Sequence, residues 1–348
     1  MKLSVQPESL IERLGLWLGL VPVPLLETHI AATLARSIMA GVELGLFDTL
    51  EAGALSAEAL AERRGTDPRA TTVLADALVA CGYLSFVGGL YGLTAQSRRW
   101  LLGSSPRSVR DKILLQSVEW RWLAELEDFV RTGRPLDFHA AMSDCELDLY
   151  HRSMRALAGI GAAEAALRVP MARGAKLMLD LGGSHGHFAA EICRRRPGLR
   201  AEVLDLPEAV KASAPLLAAE GMGDRVVHVG GDVREADLGH DRYDLILMSN
   251  LAHHLDDAEN RDLAARCARA LKPGGLFIIQ EPVHPLRPAE ARQTGALLGL
   301  YFALQSRPGV RAWTVQQMAG WQRAAGLRPR KAVRLQTAPG WVQQTARR

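Results

Sequence analysis

Five short strand-like runs, separated by helical stretches, constrain the fold of residues 176–280 more than any other feature of the chain. The runs are Lys176–Leu181, Arg200–Asp205, Arg225–Val229, Asp244–Met248 and Gly275–Gln280. Strands that alternate with helices of about 10–15 residues indicate βαβ units and a doubly wound, mainly parallel α/β sheet. A ligand of such a sheet is expected at the carboxyl ends of its strands.

Charge and cysteine usage exclude several other classes of protein. The 348 residues include 42 Lys and Arg against 38 Asp and Glu, a net charge of +4 that is spread along the chain and forms no basic block. This predicts no nucleic-acid partner. The four cysteines lie far apart without a C-x-x-C pair, so neither a disulfide framework nor a zinc knuckle is indicated. We therefore expect a reducing, cytoplasmic environment.

The longest apolar run, Leu14–Leu26, is too short for a membrane span. It has 13 residues and contains Pro22 and Pro24, whereas a transmembrane helix needs about 20 apolar residues without such breaks. We therefore predict no membrane partner. We expect the run to form a helix edge that is buried at a subunit or domain interface.

Residues 1 to about 105 read as mostly helical, with two short helices followed by a hairpin. Ser56 can cap one helix, and Asp67 followed by Pro68 can begin the next, which Thr71–Ala80 continues. Gly88-Gly89 between two apolar runs indicates a two-residue hairpin turn. Helix, helix and hairpin form a winged-helix pattern. Its second helix offers no basic residue beyond Arg69 at its start, which favours packing or dimerisation; a DNA-reading regulator is the alternative.

A glycine-rich loop follows the first strand of the sheet. In Asp180-Leu181-Gly182-Gly183-Ser184-His185-Gly186-His187, the glycines permit a tight turn and close approach of a ligand to the backbone. No Lys-Ser/Thr pair follows the last glycine, and G-x-G-x-x-G is not matched. Neither a P-loop nor a standard dinucleotide site is indicated.

Two acids that end the next two strands indicate an adenosine ligand. Asp205 lies 23 residues after Gly182 (205 − 182), where a carboxylate can accept hydrogen bonds from both ribose hydroxyls. Asp232 ends the third strand and could accept from an adenine amino group, while Val233 packs on the ring. The predicted ligand is an adenosine without a pyrophosphate cradle.

With these residues, 176–286 resemble the class I S-adenosylmethionine-dependent methyltransferases. Nearly the whole chain resembles the O-methyltransferases of the caffeate and acetylserotonin type, including Ala312-Trp313-Thr314 and Ala325-Gly326-Leu327 near the end. The resemblance implies a helical and winged-helix dimerisation domain over 1–165, a Rossmann-like catalytic domain over 166–348, a homodimer, and S-adenosyl-L-methionine as cofactor. The cofactor contacts it implies are Asp180, Gly182, Gly183, Gly186, Asp205, Leu206, Asp232, Val233 and Ser249.

The resemblance also implies a catalytic pair. His253, after the fourth strand, matches the family's catalytic histidine, and Glu281, 28 residues on (281 − 253), matches the glutamate that orients it. A phenol with a pKa of about 10 is a poor nucleophile until an imidazole with a pKa of about 6.5 removes its proton. A carboxylate behind the ring would fix its tautomer and stabilise the imidazolium.

The chain departs from the family at several positions. Ser184 replaces a third consecutive glycine, Ser249 replaces a lysine, and His254 replaces an aspartate beside the catalytic histidine. Ala312 stands where the family has a second glutamate, so His253 would be held from one side only.

The acceptor is left open by the sequence. The residues expected to contact it are Tyr150, Arg152, Met154, Trp120, Phe302 and His254. Oxygen is the favoured methyl acceptor, and a small thiol or thioether acid is the alternative, because sulfur needs less help from a base. A further alternative is a protein that binds the cofactor but catalyses a reaction other than methyl transfer. A metal site is a further alternative, formed by His185, His187, His253 and His254. The H-x-H spacing alone is too weak a signal for such a site, so no metal is predicted.

Overall fold

The computed structural model describes residues 3–137, 142–170, 174–283, 293–305, 310, 312–338 and 340–348. The chain forms two compact units, one up to Ser117 and one from Val118 to Arg348. The division from sequence, at 165/166, falls in the last turn of one helix, Asp144–Arg168, and stays a prediction about functional domains.

The N-terminal unit contains the predicted pair of capped helices and the hairpin. The Ser56 side chain accepts from the Ala59 N–H, and Asp67 accepts from the Ala70 N–H. Gly88 and Gly89 both have positive φ in the hairpin turn. The elements are α1 (Leu10–Trp17), α2 (Val23–Leu25), a π-helical turn (Leu26–Ile30), α3 (Ala31–Glu43), α4 (Leu46–Thr49), α5 (Ala57–Arg64), α6 (Pro68–Ala80), β1 (Leu84–Val87), β2 (Leu90–Leu93), α7 (Ala95–Trp100) and α8 (Arg110–Leu123), the last crossing into the second unit.

The apolar run from Leu14 to Leu26 is not one helix edge. It covers the end of α1, a turn at Gly19, α2 and the first residue of the π-helical turn. Gly19 has a positive φ just after α1 ends, and Pro22 and Pro24 lie at the start of α2, where proline is tolerated. Several of its large side chains are exposed in the single chain, among them Trp17 at 80%, whereas Leu16 and Leu26 are partly buried. Among the described residues, no helix is long and apolar enough to cross a membrane.

The second unit is built on the predicted parallel sheet. Its first five strands are β3 (Leu177–Leu181), β4 (Arg200–Asp205), β5 (Val226–Gly230), β6 (Tyr243–Ser249) and β7 (Leu271–Pro282), and three more, β8 (Arg328–Pro329), β9 (Val333–Arg334) and β10 (Trp341–Arg347), follow in the chain. In the described residues, the eight strands have the order β5-β4-β3-β6-β7-β10-β8, with β9 also paired to β10. The strands from β5 to β7 in this order are parallel.

The antiparallel edge of the sheet lies outside the sequence prediction. It consists of β8 (Arg328–Pro329), β9 (Val333–Arg334) and β10 (Trp341–Arg347). In β10 the side chains of Gln343 and Gln344 are buried and hydrogen bonded, to Gln280 and to Gln322 respectively. A buried strand that carries paired amides lacks the apolar pattern by which strands are predicted.

Helices cover the sheet and place loops at the carboxyl ends of its strands. Three of them begin with a capping box, at Ser143, Asp256 and Thr314. The helices are α9 (Leu126–Thr132), α10 (Asp144–Arg168), α11 (His187–Arg194), α12 (Pro207–Ala219), α13 (Asp257–Ala270), α14 (Gln293–Gln305) and α15 (Val315–Ala324), with 3-10 turns at Gly223–Arg225 and Ala252–His254.

Candidate active site

The glycine loop between β3 and α11 is packed so closely that a Cβ at any of its three glycines would lie less than 3.0 Å from a neighbouring side chain. A Cβ at Gly186, whose φ is +68°, would lie 2.5 Å from the Leu217 side chain. A Cβ at Gly183 would lie 2.7 Å from the Asp180 carboxyl group. These contacts lie on the inner side of the loop, so glycine allows the tight turn at the carboxyl end of the first strand that is expected of an adenosine-binding loop.

Asp205 is fixed at the end of β4 beside this loop. One carboxyl oxygen accepts from the Ser184 N–H and the other from the Leu206 N–H, both at 2.8 Å. Burial raises the pKa of Asp205, although the two N–H groups act in the opposite direction. The carboxylate is held rigidly, and its remaining lone pairs can accept from a diol.

Asp180 lies beneath the loop rather than on its surface. The residue is 1% exposed, and neither carboxyl oxygen has a hydrogen-bond partner among the described residues. Burial, with the charge of Asp205 added, raises the pKa of Asp180 to about 8. The structure therefore places it as a support under Gly183.

The predicted adenine contacts lie at the end of β5. Val233 is buried in the core cluster, and the Asp232 carboxylate is bound by the Arg234 guanidinium, whose hydrogen bonds lower the pKa of Asp232. An adenine amino group would share this carboxylate with Arg234. Ser249, the predicted replacement for a lysine, accepts a hydrogen bond from Gln280 at 2.9 Å.

His253 and Glu281 form a buried hydrogen-bonded pair. His253 Nδ1 lies 2.7 Å from Glu281 Oε2, and the side chains are only 7% and 1% exposed. The other oxygen, Glu281 Oε1, accepts from the Ala252 N–H at 2.7 Å. The strand β7 thus fixes the carboxylate, and the carboxylate fixes both the ring and the backbone of the histidine loop.

Two side chains that the sequence analysis did not single out hold the same loop. The Asn260 amide donates toward the carbonyls of Ala252, Leu255 and Asp256 at 2.9–3.1 Å. The Trp313 indole donates to the Ala252 carbonyl at 2.7 Å. Neither residue carries a sequence signal for this role, because the partners are backbone carbonyls whose positions depend on the fold.

Two further rings pack beside the imidazole of His253. The ring centres of His254 and Phe302 lie 4.3 Å and 4.7 Å from that of His253. Ala312, at the family's second glutamate position, is buried. The structure therefore brings together His253 and Glu281, the pair that the resemblance implies, with His254 and Phe302, two of the expected acceptor contacts, whose roles stay predictions.

The other four predicted acceptor contacts differ in their exposure and in their partners. Tyr150 and Met154 are partly buried on α10, and burial, with Glu119 and Asp205, raises the pKa of Tyr150. Trp120 is 41% exposed. Arg152 forms an ion pair with Asp148 one helical turn away.

His185 and His187, at the end of the glycine loop, are both buried. His187 Nδ1 lies 3.0 Å from Glu220, and burial lowers the pKa of His185 to about 3. No group of three or more His, Cys, Asp or Glu among the residues that the structure describes could hold a metal ion.

The chain matches two family models. Residues 125–326 match the O-methyltransferase domain, and residues 29–103 match the O-methyltransferase dimerisation domain. The chain belongs to the O-methyltransferase family. The enzyme is thus an S-adenosylmethionine-dependent methyltransferase of small molecules, as the resemblance predicted.

Individual relatives agree with this assignment. A 3-hydroxy-5-methyl-1-naphthoate 3-O-methyltransferase of Streptomyces sahachiroi is 27% identical over 91% of this chain and 93% of its own. A 3-amino-4-hydroxybenzoate 4-O-methyltransferase of Streptomyces cremeus is 32% identical over 71% of this chain and 69% of its own. The crystal structure of human N-acetylserotonin methyltransferase in complex with SAM has the same fold, with a TM-score of 0.83 and 21% identity over 99% of both chains.

Proposed function

We propose that this O-methyltransferase methylates a hydroxyl group of a small aromatic molecule, with His253 as the general base. The observation that carries the proposal is the buried hydrogen bond between His253 Nδ1 and Glu281 Oε2. Two relatives named for hydroxynaphthoate and hydroxybenzoate substrates support an aromatic hydroxyl as the acceptor class.

The pair determines which nitrogen of His253 does chemistry. Because Glu281 accepts the Nδ1 proton, the neutral ring carries its lone pair on Nε2, which can take the proton of an acceptor hydroxyl. The imidazolium that results is stabilised by the Glu281 carboxylate at 2.7 Å. Deprotonation makes the acceptor oxygen nucleophilic, and Phe302 beside the ring can orient an aromatic acceptor.

The residues around the glycine loop fit the cofactor. Gly183 and Gly186 let the loop pack directly on the side chains beneath it, and Asp205 presents a fixed carboxylate beside the loop. In the proposed site Asp205 accepts from the ribose hydroxyls, Asp232 accepts from the adenine amino group, and Val233 packs on the ring. When bound, S-adenosylmethionine supplies the electrophilic methyl group.

The test of the proposed base is His253→Ala. We expect kcat with a phenolic acceptor to fall about 10²-fold or more, because the variant lacks the proton acceptor. The dissociation constant for S-adenosylhomocysteine, measured by calorimetry, should change less than about threefold. His240→Ala is the matched control, since His240 is an exposed histidine outside the site. Turnover by His253→Ala close to that of the His240→Ala control would exclude His253 as the base.

We also propose that the enzyme is a homodimer in the cytoplasm. The dimerisation-domain match and the exposed apolar side chains of α1 support the dimer. The location rests on the cysteines, which are all free thiols in the structure.

A further inference from the structure

Ser184 adopts a backbone conformation that favours glycine. Its φ is +40°, in a region where a Cβ is disfavoured, and the neighbouring Gly182 and Gly186 also have positive φ. A glycine at this position would avoid the strain. A serine there needs a compensating interaction.

The serine hydroxyl closes a triangle of hydrogen bonds with two buried side chains. Ser184 Oγ lies 2.9 Å from Ser213 Oγ and 3.0 Å from His151 Nδ1, and Ser213 Oγ lies 3.1 Å from the same nitrogen. Ser213 is 0% and His151 is 6% exposed. His151 belongs to α10 and Ser213 to α12, so the hydroxyl ties the loop to two helices.

The backbone of Ser184 is bonded on both sides as well. Its N–H donates to Asp205 Oδ2 at 2.8 Å, and its carbonyl accepts from His228 Nε2 at 2.7 Å. A shift of Ser184 would therefore move the carboxylate proposed to bind the cofactor ribose. The position of the Asp205 carboxylate therefore depends on the position of Ser184.

We infer that Ser184 is a positioning residue, held by His151 and Ser213, that sets the cofactor loop and Asp205 in the cofactor-binding arrangement. We call Ser184, His151 and Ser213 the serine clasp. The serine clasp acts through Asp205 and the loop. It increases the affinity for the cofactor and does not take part in the methyl-transfer step. The inference rests on the cofactor site proposed above.

The test compares the affinity of clasp variants for S-adenosylhomocysteine with that of the wild type, by calorimetry. We expect Ser184→Gly, Ser184→Ala and His151→Leu each to raise the dissociation constant about tenfold, because each breaks the clasp. The KM for S-adenosylmethionine should rise in parallel, with kcat at saturating cofactor changed less than about twofold. His151→Asn, which returns an amide group near the Nδ1 position, should restore affinity to within about threefold of the wild type.

Ser153→Ala is the matched control. Ser153 is also a buried serine on α10, and its hydroxyl donates to Leu149 of the same helix. Unchanged affinity in Ser153→Ala supports the inference. An equal loss in this variant would assign the effect to general packing of α10 and overturn it.

A double variant tests the coupling directly. Ser184→Gly with His151→Leu should bind no more weakly than either single variant, because both changes break the same contact. Losses that multiply to about a hundredfold would contradict the clasp. So would wild-type affinity in Ser184→Gly, or an His151→Asn variant no better than His151→Leu.

Two further measurements distinguish failure of the clasp from failure of the proposed cofactor site. If the Ser184 variants do not fold, Ser213→Ala breaks the triangle from α12 and should also weaken binding; unchanged affinity there overturns the inference. If the wild type does not bind S-adenosylhomocysteine, or Asp205→Ala binds as well as the wild type, the proposed cofactor site fails. Wild-type binding that depends on Asp205 but not on the clasp contradicts only the inference.

Discussion

Glu281 uses both of its carboxyl oxygens at the proposed catalytic residue. Oε2 meets His253 Nδ1 and Oε1 meets the Ala252 N–H, and the side chain is 1% exposed. A carboxylate can accept both protons at once, whereas an amide cannot.

Glu281→Gln should therefore lower kcat about 10²-fold or more. The amide must place its own donor against either Ala252 or His253, which disturbs the loop or reverses the tautomer of the ring. Steady-state kinetics with a phenol checks this, and the affinity for S-adenosylhomocysteine should stay within about threefold. A kcat within a factor of about three of the wild type would contradict the role of Glu281.

The raised pKa of the buried Asp180 carboxyl group should make the free energy of unfolding depend on pH. Its folded pKa, about 8, lies above the ordinary value of 3.8, so the folded protein binds this proton more tightly than the unfolded chain does. The stabilisation is complete below about pH 4 and is lost as pH rises towards 8. The free energy of unfolding of Asp180→Asn, relative to the wild type, should therefore increase between pH 5 and pH 8.

Urea unfolding at several pH values measures this difference. Asp262→Asn, which removes an exposed carboxylate paired with Arg266 on a helix surface, is the control. A difference between Asp180→Asn and the wild type that is constant from pH 5 to pH 8 would contradict the expected behaviour.

The loop between β6 and α13 depends on Asn260 for its shape. One amide group lies within 3.1 Å of three backbone carbonyls on either side of His253. Asn260→Ala should lower the free energy of unfolding by about 1–3 kcal/mol, because each of the three carbonyls loses one of its donors. It should also lower kcat severalfold, with cofactor affinity unchanged.

Thermal unfolding and kinetics of two variants check the role of Asn260. Asn260→Asp keeps the shape but opposes a carboxylate to the carbonyls, and it should be more damaging than Asn260→Ala. An Asn260→Ala variant with the stability and kcat of the wild type would show that the loop does not need the amide.

Elements with local signals could be predicted from the sequence, and elements defined by distant partners could not. The five parallel strands, the Gly88-Gly89 hairpin and the caps at Ser56 and Asp67 were all identified by pattern or turn chemistry. β10 was missed because its buried glutamines are satisfied by amides on other elements. The same limit applies to the site: a resemblance located His253 and Glu281, while the bonds of Ser184 reach residues 29 and 33 positions away.

The whole molecule is expected to be a dimer through its N-terminal unit. Leu10, Ile11 and Trp17 of α1 are each at least 78% exposed in the single chain, which is costly for side chains of this kind in water. Light scattering should give twice the chain mass of 37.8 kDa. Ile11→Glu with Trp17→Glu should shift the population towards monomer.

Val130→Glu is the control for the dimer experiment, because Val130 is an exposed apolar residue on α9. It should leave the mass unchanged. A wild-type protein that is monomeric at micromolar concentration would contradict the dimer proposal.

The most direct measurement is release of S-adenosylhomocysteine by the purified protein from S-adenosylmethionine. It should be run with one panel of phenols and hydroxylated aromatic acids and one of small thiols and thioethers, each with the wild type and His253→Ala. We predict release with an aromatic hydroxyl compound and its loss in the variant. Release with sulfur compounds alone, or release from phenols that His253→Ala leaves unchanged, would contradict base-assisted O-methylation by this site.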